Sequence, residues 1–310
     1  MQAAAKNSTE IASAPNRAVI PIRHMDFKFD PNEVDPLFFH NAELASAYFE
    51  ALSIFLTFGE DLVIDTARYH RQFVTDPELK ARVTSLIGQE AVHSKMHNAF
   101  NDVLAKHRFP VTFYRFLATQ VFDYGFKRFP NPVQLSMMAG IEHFTAVMAE
   151  FFMNHDEVFF ETQDEKQRAL WMWHMLEESE HKDIAYDVYQ QLSGSYSLRM
   201  IGFVLAFTTI LFLVPLGGVL IPIIRRPSNL FRPSYWKDVA RSTGLLFGPK
   251  TGVYGSSMGH IMDYLRRDFH PNDHDTTEHL AYYRELLLNP ETGLLTPYMT
   301  KEFVPPVRAS

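Results

Sequence analysis

Residues 173–183 read WHMLEESEHKD, and this stretch carries the strongest indication of the fold. His174, Glu178 and His181 are spaced four and then three residues apart. At 3.6 residues per turn, Glu178 lies about 40° from His174, and His181 about 20° from it on the other side. Glu177 lies at the edge of the same stripe. The spacing therefore predicts a helix that directs two imidazoles and a carboxylate towards one partner, among flanking Trp and Met side chains.

A second segment, QEAVHSKMH at residues 89–97, places Glu90, His93 and His97 on one face of a predicted helix. Glu90 and His93 have the Glu-x-x-His spacing, which supplies one carboxylate and one imidazole from adjacent turns. A single Glu-x-x-His is weak, because these residue types often share a solvated helix face. His97 lies a turn beyond the pair, and we interpret it as a residue that supports the ligands.

Two further predicted helices each carry a glutamate within an apolar stretch. Glu60 follows SIFLTFG and Glu142 lies within MMAGIEHF. Glu150, two turns beyond Glu142 and about 80° round the helix, should not reach the same site. A packing role remains the alternative for His174. The predicted metal ligands are Glu60, Glu90, His93, Glu142, His174, Glu178 and His181.

This ligand pattern is typical of a ferritin-like di-metal bundle, where two helices carry Glu-x-x-His motifs and two others a single glutamate each. The chain contains no cysteine, which excludes zinc–thiolate sites, iron–sulfur clusters and disulfides. Oxygen and nitrogen ligands favour two iron ions, with manganese or zinc as alternatives. Four carboxylates in a bundle core would also repel one another without cations.

Helical periodicity extends over most of the chain, and we find no alternating β pattern. Apolar residues recur at helical spacing over 41–73, and Asp76-Pro77 and Asn131-Pro132 open the next helices. A fourth helix is predicted from about Asp164 to Gln191. The predicted fold is all-α, a ferritin-like four-helix bundle with additional C-terminal helices and an apolar hairpin. Its segments are a disordered lead-in (1–30), the di-metal bundle (31–195), the hairpin (196–228) and a C-terminal helical extension (229–310).

Composition limits the partners and the compartment. The net charge of −7 provides no basic surplus for phosphates, so nucleic acid is not an expected partner. The first 20 residues lack the apolar core of a secretory signal, and the absence of cysteine fits a reducing compartment. We expect a cytoplasmic protein, with a homodimer as the default for an apolar bundle.

Residues 200–224, MIGFVLAFTTILFLVPLGGVLIPII, contain no charged side chain and are long enough to span a bilayer. Pro215 and Pro222 argue against one straight helix. Three interpretations remain, namely a buried hairpin, a membrane-inserted or interfacial hairpin, and a single span. Flanking arginines suit an anionic cytoplasmic leaflet, so association with the inner membrane is one prediction.

The C-terminal 80 residues are less informative. His270 and His274 in FHPNDHD have the residue types of metal ligands, but we interpret them as part of a polar turn after a helix over 259–268. Residues 275–288 predict one more short amphipathic helix, with Asp275 or a following threonine as its cap.

GQEAVHSKMH, EESEHKDIAYDVY and DYLRRDFHPNDHD resemble the bacterial predicted metal-dependent hydrolase family, a ferritin-like group, over roughly residues 30–290. The ligand pattern is also similar to that of p-aminobenzoate N-oxygenase, a di-iron enzyme with an extra histidine ligand. This resemblance implies the ferritin-like fold and the seven ligands named above. The spacings between helices differ from those of that enzyme, so its substrate does not carry over.

Three functions follow from these observations. We favour an O₂-activating di-iron oxidase or oxygenase that acts on a small apolar substrate and needs an electron donor. The alternative is a metal-dependent hydrolase that uses a metal-bound water. A non-catalytic iron-binding protein is a second alternative, weakened by the length of the chain and by its apolar segment.

Overall fold

The structure is a computed structural model that describes residues 19–35, 37–39, 41–107, 110–155 and 164–307. Over these ranges the protein is all-α apart from one two-stranded antiparallel sheet, as predicted. The helices are α1 (Glu43–Arg71), α2 (Pro77–Leu104), α3 (Val111–Phe122), α4 (Asn131–Asn154), α5 (Glu165–His181), α6 (Ile184–Leu192), α7 (Tyr196–Thr208), α8 (Val214–Arg225), α9 (Pro233–Phe247), α10 (Val253–Asp263) and α11 (Thr277–Leu288).

Two of the predicted helix starts are confirmed by their caps. The Asp76 side chain accepts the backbone N–H of Glu78 at the start of α2, and that of Asp164 accepts the N–H of Gln167 at the start of α5. These bonds satisfy amides that no carbonyl of the helix can reach. The third start differs, because Asn131 lies inside the first turn of α4 and caps nothing.

The predicted fourth helix is two helices, so its extent to Gln191 is wrong. α5 ends at His181, and α6 begins at Ile184. Between them, the carboxylate of Asp183 accepts from the guanidinium of Arg82 on α2 and from the side-chain amide of Asn272. These tertiary hydrogen bonds hold the chain at the break between the two helices, although the helical pattern of the sequence continues through it.

The long helices α1, α2, α4 and α5 pack against one another around the core. Trp171 and Trp173 are fully buried on α5, and Trp171 contacts Phe49 of α1 with ring centroids 5.2 Å apart. These four helices carry every predicted metal ligand. The ferritin-like arrangement of the bundle stays a prediction.

The predicted apolar hairpin is wrong. Tyr196–Arg225 forms one continuous 30-residue helix, in which α7 and α8 are joined by a π-helical turn at Thr209–Leu213. Pro215 follows this turn in the first turn of α8. A proline ring clashes with the carbonyl four residues earlier in a regular helix, and a wider turn relieves that clash. The chain therefore passes Pro215 without reversing.

One face of this long helix packs closely on the bundle through glycines. A Cβ on Gly202 would lie 2.3 Å from the backbone of Ser136 on α4, and one on Gly218 would lie 3.0 Å from the Cα of Tyr48 on α1. The opposite face is exposed and apolar. Within the described ranges, one helix, Tyr196–Arg225, is long and apolar enough to cross a membrane, and 33% of its most apolar window is buried in the protein.

The sheet joins two distant parts of the chain. Strand β1 (Ile22–Met25) pairs antiparallel with β2 (Met299–Phe303), so that Arg23 lies opposite Glu302. The prediction of a disordered lead-in over 1–30 is therefore wrong for β1, while residues 1–18 lie outside the described part. Because the partner strand lies more than 270 residues further along the chain, no turn or hairpin signal near β1 could predict this pairing.

One of the two predicted C-terminal helices is confirmed. α11 covers most of the predicted segment 275–288. The bounds 259–268 are wrong, because α10 begins at Val253 and ends at Asp263. The Asp275 side chain accepts the backbone N–H of Thr277 at the start of α11.

Candidate metal centre

All seven predicted ligands meet in the interior of the bundle. Each is at most 4% exposed. Helix α1 supplies one, α2 two, α4 one and α5 three, in the order Glu60, Glu90 and His93, Glu142, and His174, Glu178 and His181.

Glu178 lies at the middle of the cluster. Its Oε1 is 3.0 Å from Nε2 of His174, and its Oε2 is 3.1 Å from Nε2 of His181. The helical spacing of four and then three residues places one imidazole on each side of this carboxylate. Its two oxygens therefore face two different histidines.

The other helices close around the same point. Oε1 of Glu90 is 3.5 Å from Nδ1 of His93 and 3.4 Å from Nε2 of His181. Oε2 of Glu142 is 3.1 Å from that Nε2, and Oε1 of Glu60 is 3.9 Å from Nδ1 of His174. Several of these groups lie close enough together to share one ion, in the sets Glu60–Glu90–His93, His93–His174–Glu178 and Glu90–Glu142–His181.

The unsatisfied atoms of the cluster fit a bound cation. Among the described residues, neither oxygen of Glu60 has a hydrogen-bond partner, and Nε2 of His174 is close to Glu178 without the alignment of a hydrogen bond. Buried polar atoms without partners are energetically unfavourable, and positive ions would satisfy them together. The further atoms in this condition are Oε1 of Glu90, Oε2 of Glu142 and Nδ1 of His93.

The acid–base properties of the cluster lead to the same interpretation. Burial raises the pKa of Glu60 well above its usual value, and the charge of Glu90 raises it further. Burial also raises the pKa of Glu142, although His181 opposes this effect. Burial would raise the pKa of Glu178 too, but His181 and His174 outweigh it and hold that pKa well below its usual range. Without metal, protons have to compensate the buried carboxylates.

Two histidines are oriented by partners outside the cluster. Oε2 of Glu177 is 3.0 Å from Nε2 of His93, which leaves the other ring nitrogen to face Glu90. Oε1 of Gln89 can only accept, so it takes the Nδ1–H of His181 at 3.0 Å and leaves Nε2 bare towards the carboxylates. Such outer hydrogen bonds fix the tautomer and ring orientation of metal-binding histidines.

His174 is oriented by a longer relay that begins at Asn101. The Asn101 amide donates to the backbone carbonyl of Ser53, so its Oδ1 accepts from the Ser53 hydroxyl at 2.8 Å. Ser53 Oγ then accepts the Nδ1–H of His97 at 2.8 Å, and Nε2 of His97 accepts the Nδ1–H of His174 at 2.8 Å. The relay leaves Nε2 of His174 bare and facing Glu178. Both ring nitrogens of His97 are used in this relay. His97 therefore supports the predicted ligand His174, which is the role expected for it from the sequence.

The open side of the cluster is a cavity of about 50 Å³. All four predicted carboxylates border it, and most of the remaining wall is apolar. Thr209 and Ile210 of the π-helical turn form part of this wall. The other lining side chains include Phe55, Phe122, Phe144 and Met148, with Thr145 and Tyr254 as the remaining polar groups.

Residues 21–275 match the profile of a family described as "Predicted metal-dependent hydrolase". The chain belongs to this predicted metal-dependent hydrolase family. The match includes all seven clustered residues. No curated protein and no solved structure matches the chain.

The sequence analysis did not predict a network of charged side chains that contacts α5 next to the cluster. Arg23 of β1 donates to Glu177 at 3.0 Å and to Glu180 at 2.7 Å and 2.9 Å. Arg284 of α11 donates to Glu180 from the other side at 2.8 Å. Helical spacing places Glu177 at the edge of the ligand stripe, but no spacing rule links it to Arg23.

Two other predicted groups lie away from the cluster. Oε2 of Glu150 on α4 is 3.1 Å from Nδ1 of the half-exposed His260 on α10, so Glu150 does not reach the cluster, as predicted. Nε2 of His270 is 2.9 Å from the carboxylate of Asp187, as expected for a polar turn.

Proposed function

We propose that this protein is a metal-dependent hydrolase whose buried cluster holds two metal ions. The family description supports the hydrolytic reaction. Glu178 has one oxygen close to His174 and the other close to His181, and this position supports two metal ions rather than one. The oxygen activation favoured by the ligand pattern alone has no support in the family description, which the hydrolytic alternative fits better.

The two ions would occupy two halves of the cluster. One half would consist of Glu60, His93 and His174, and the other of Glu142 and His181. Glu178, with one oxygen facing His174 and the other facing His181, and Glu90, whose Oε1 lies between His93 and His181, would help to hold the ions of both halves. Seven nitrogen and oxygen ligands suit iron, manganese or zinc, and iron is our first expectation.

When bound, such ions lower the pKa of water and polarise a scissile carbonyl. Glu60 lines the cavity with neither oxygen hydrogen-bonded to a described residue, so an oxygen of Glu60 that does not hold an ion would be placed to accept a proton there. Phe55, Phe122 and Phe144 line the cavity and would receive the apolar part of a small ester or amide. The reacting bond would lie between this wall and the carboxylates.

The test combines metal analysis with hydrolysis. We expect about two metal ions per chain in the native protein. Glu178→Ala and Glu90→Ala should each lose most of the metal and the hydrolysis of short apolar esters or amides. His97→Ala removes no ligand, so it should keep the metal stoichiometry at saturating metal and only weaken the affinity, because it breaks the relay to His174. Glu291→Gln, at an exposed carboxylate, is the matched control. Full metal content without turnover of any ester or amide, for the iron, manganese and zinc forms alike, would refute hydrolysis.

Oxygen activation is the second candidate, favoured by one observation. All four carboxylates of the cluster line a small apolar cavity, and carboxylate-rich sites with histidine ligands stabilise both oxidation states of iron. This function would require an external electron donor. New near-ultraviolet absorbance when air reaches anaerobic, iron-loaded protein would favour it, and an unchanged spectrum would leave hydrolysis.

We also propose that the outer face of the long helix contacts an anionic membrane surface. Phe212 is 62% exposed on this face, and Phe231, just beyond the helix, is 86% exposed. Exposed Arg226 and Lys237 lie near the same end and complement anionic headgroups. The cavity wall at Thr209 and Ile210 belongs to the same helix, so an apolar substrate would enter from lipid at the cytoplasmic side of the inner membrane.

Vesicle flotation tests this contact. We expect the protein to float with phosphatidylglycerol-containing vesicles and the double variant Phe212→Ser/Phe231→Ser to remain in solution. Val307→Ser, which removes a valine that is 54% exposed in the C-terminal segment, should float like the native protein. Equal flotation of all three forms would exclude this face. A native dimer that the double variant dissociates would assign the face to a second copy instead.

A further inference from the structure

A second cluster of metal-ligating side chains lies near the surface, away from the buried centre. Glu150 of α4, His260 of α10 and His274 of the turn before α11 offer ligand atoms that all lie within 4.8 Å of one another. Nδ1 of His260 is 3.1 Å from Oε2 of Glu150, and Nδ1 of His274 is 3.8 Å from the same oxygen. The three side chains come from three separate elements and converge on one point.

The hydrogen bond on the far side of His274 determines what its near side offers. Nε2 of His274 is 3.0 Å from the carboxylate of Asp263, which can only accept, so the imidazole carries its proton on Nε2. In the neutral ring, Nδ1 is then a bare lone pair that faces the carboxylate of Glu150. Two acceptors directed at each other repel, and a cation or an additional proton between them removes the repulsion.

The geometry suits a cation. A carboxylate on the far nitrogen of a histidine is the usual support of a metal-binding imidazole. In tetrahedral zinc sites, metal–ligand distances near 2.1 Å place neighbouring ligand atoms about 3.4 Å apart, between the two distances to Glu150. The His260 and His274 rings stack with centroids 4.1 Å apart, and both Nδ1 atoms face Oε2 of Glu150, at 3.1 Å and 3.8 Å.

We infer that Glu150, His260 and His274 form a second, mononuclear metal site of the zinc class, with Asp263 as the residue that orients His274. The His260 side chain is 49% exposed, so the site is open to solvent and leaves a position for water. The Lys182 ammonium donates hydrogen bonds to the His274 carbonyl and the Thr276 hydroxyl, and these bonds hold the turn in place.

This site would fasten the C-terminal segment to α4. Glu150 lies on the same helix as Glu142 of the buried centre, about 12 Å further along its axis. His260 and His274 belong to segments that cover the bundle from outside. A bound ion would therefore stabilise the packing of these segments on α4 without taking part in the proposed hydrolysis. The inference of this site does not depend on the proposed function.

Titration of the metal-free protein with Zn²⁺, and with Co²⁺ as a spectroscopic probe, tests the site. We expect His260→Ala and His274→Ala each to lose one equivalent of zinc and the visible absorption of a low-coordinate Co²⁺. His279→Ala, at an exposed histidine of α11, should lose neither. Asp263→Asn should keep the stoichiometry and weaken binding by about 10- to 100-fold, as expected for a positioning residue.

Glu178→Ala separates this site from the buried one, because it should abolish most metal binding in the interior and keep the surface equivalent. The inference fails if His260→Ala, His274→Ala and His279→Ala bind the same number of ions with the same affinity. Since His260 is half exposed, its substitution should leave the fold intact, and an unchanged far-ultraviolet circular dichroism spectrum checks this.

Discussion

At the scale of single residues, the property that matters most is the tautomer of each buried histidine. Spacing along α5 directs His174 and His181 to one face, but a neutral imidazole binds a metal only through its unprotonated nitrogen. Gln89 determines this nitrogen for His181, and Asn101 determines it for His174 through Ser53 and His97. None of these supporting residues is a predicted ligand.

Breaking the relay should weaken metal binding without removing a ligand. Ser53→Ala leaves the Nδ1–H of His97 without its acceptor, and Asn101→Leu removes the group that orders the relay. We expect each to lower metal affinity by about 10- to 100-fold, measured by competition with a chromophoric chelator. Ser179→Ala is the control, because its buried hydroxyl on α5 has no hydrogen-bond partner among the described residues. Equal affinities in all three variants would show that the relay does not orient His174.

At the scale of elements, the long apolar helix is held to the bundle by close backbone approach. A Cβ on Gly202 would lie 2.3 Å from the backbone of Ser136, which cannot move without shifting α4. We expect Gly202→Ala to lower the free energy of unfolding by about 1–3 kcal/mol, measured by urea denaturation. A Cβ on Gly244 of α9 would meet no described heavy atom within 4 Å outside its own helix backbone, so Gly244→Ala should be stabilising by about 0.5–1 kcal/mol. Destabilisation of similar size in both would contradict the close crossing.

The contact between α1 and α8 should make stability depend on pH. Burial raises the pKa of Glu50 to about 7, although the guanidinium of Arg225, 3.0 Å away, opposes this. Because the folded-state pKa lies above the unfolded one, the stability from this group is fully present below about pH 4.5 and is lost as the pH rises through 7.

Glu50→Gln should therefore flatten the curve of unfolding free energy between pH 4.5 and 7, by up to about 1.4 kcal/mol per pH unit. Urea titrations at several pH values measure this slope. Glu291→Gln, at an exposed carboxylate, should keep the native slope. A Glu50→Gln curve parallel to the native one would show that Glu50 is ionised in the folded protein throughout this range.

At the scale of the whole molecule, the metal centre and the fold should stabilise each other. Four buried carboxylates meet at one point, and cations that bind only the folded state stabilise it by mass action. At a free metal concentration about 100-fold above the dissociation constant, this contribution is about 2.7 kcal/mol. Chelation should lower Tm in a scanning fluorimetry experiment. Glu178→Ala should show a much smaller response to the chelator, and an equal response would place the stabilising metal elsewhere.

Local sequence patterns were sufficient to predict the all-α class, the starts of α2 and α5 and the clustered residues of these two helices. These features depend on cap residues and on neighbours three or four positions apart, and both are present in the sequence. Glu60 and Glu142 were predicted differently, because each lies in an apolar stretch and completes the ferritin-like ligand pattern. The break between α5 and α6 was not predictable in this way, because the bonds of Asp183 to Arg82 and Asn272 join positions far apart in the chain.

The continuous course of the apolar helix, strand β1 and the supporting groups Arg23 and Asn101 also required the folded chain. Pro215 predicts a break, but the π-helical turn relieves its clash while glycines hold the helix on the bundle. Arg23 reaches the centre because β1 pairs with a strand at the other end of the chain. The physical reason is the same in each case: hydrogen bonds and packing between distant segments outweigh local preferences, and only the three-dimensional arrangement brings those segments together.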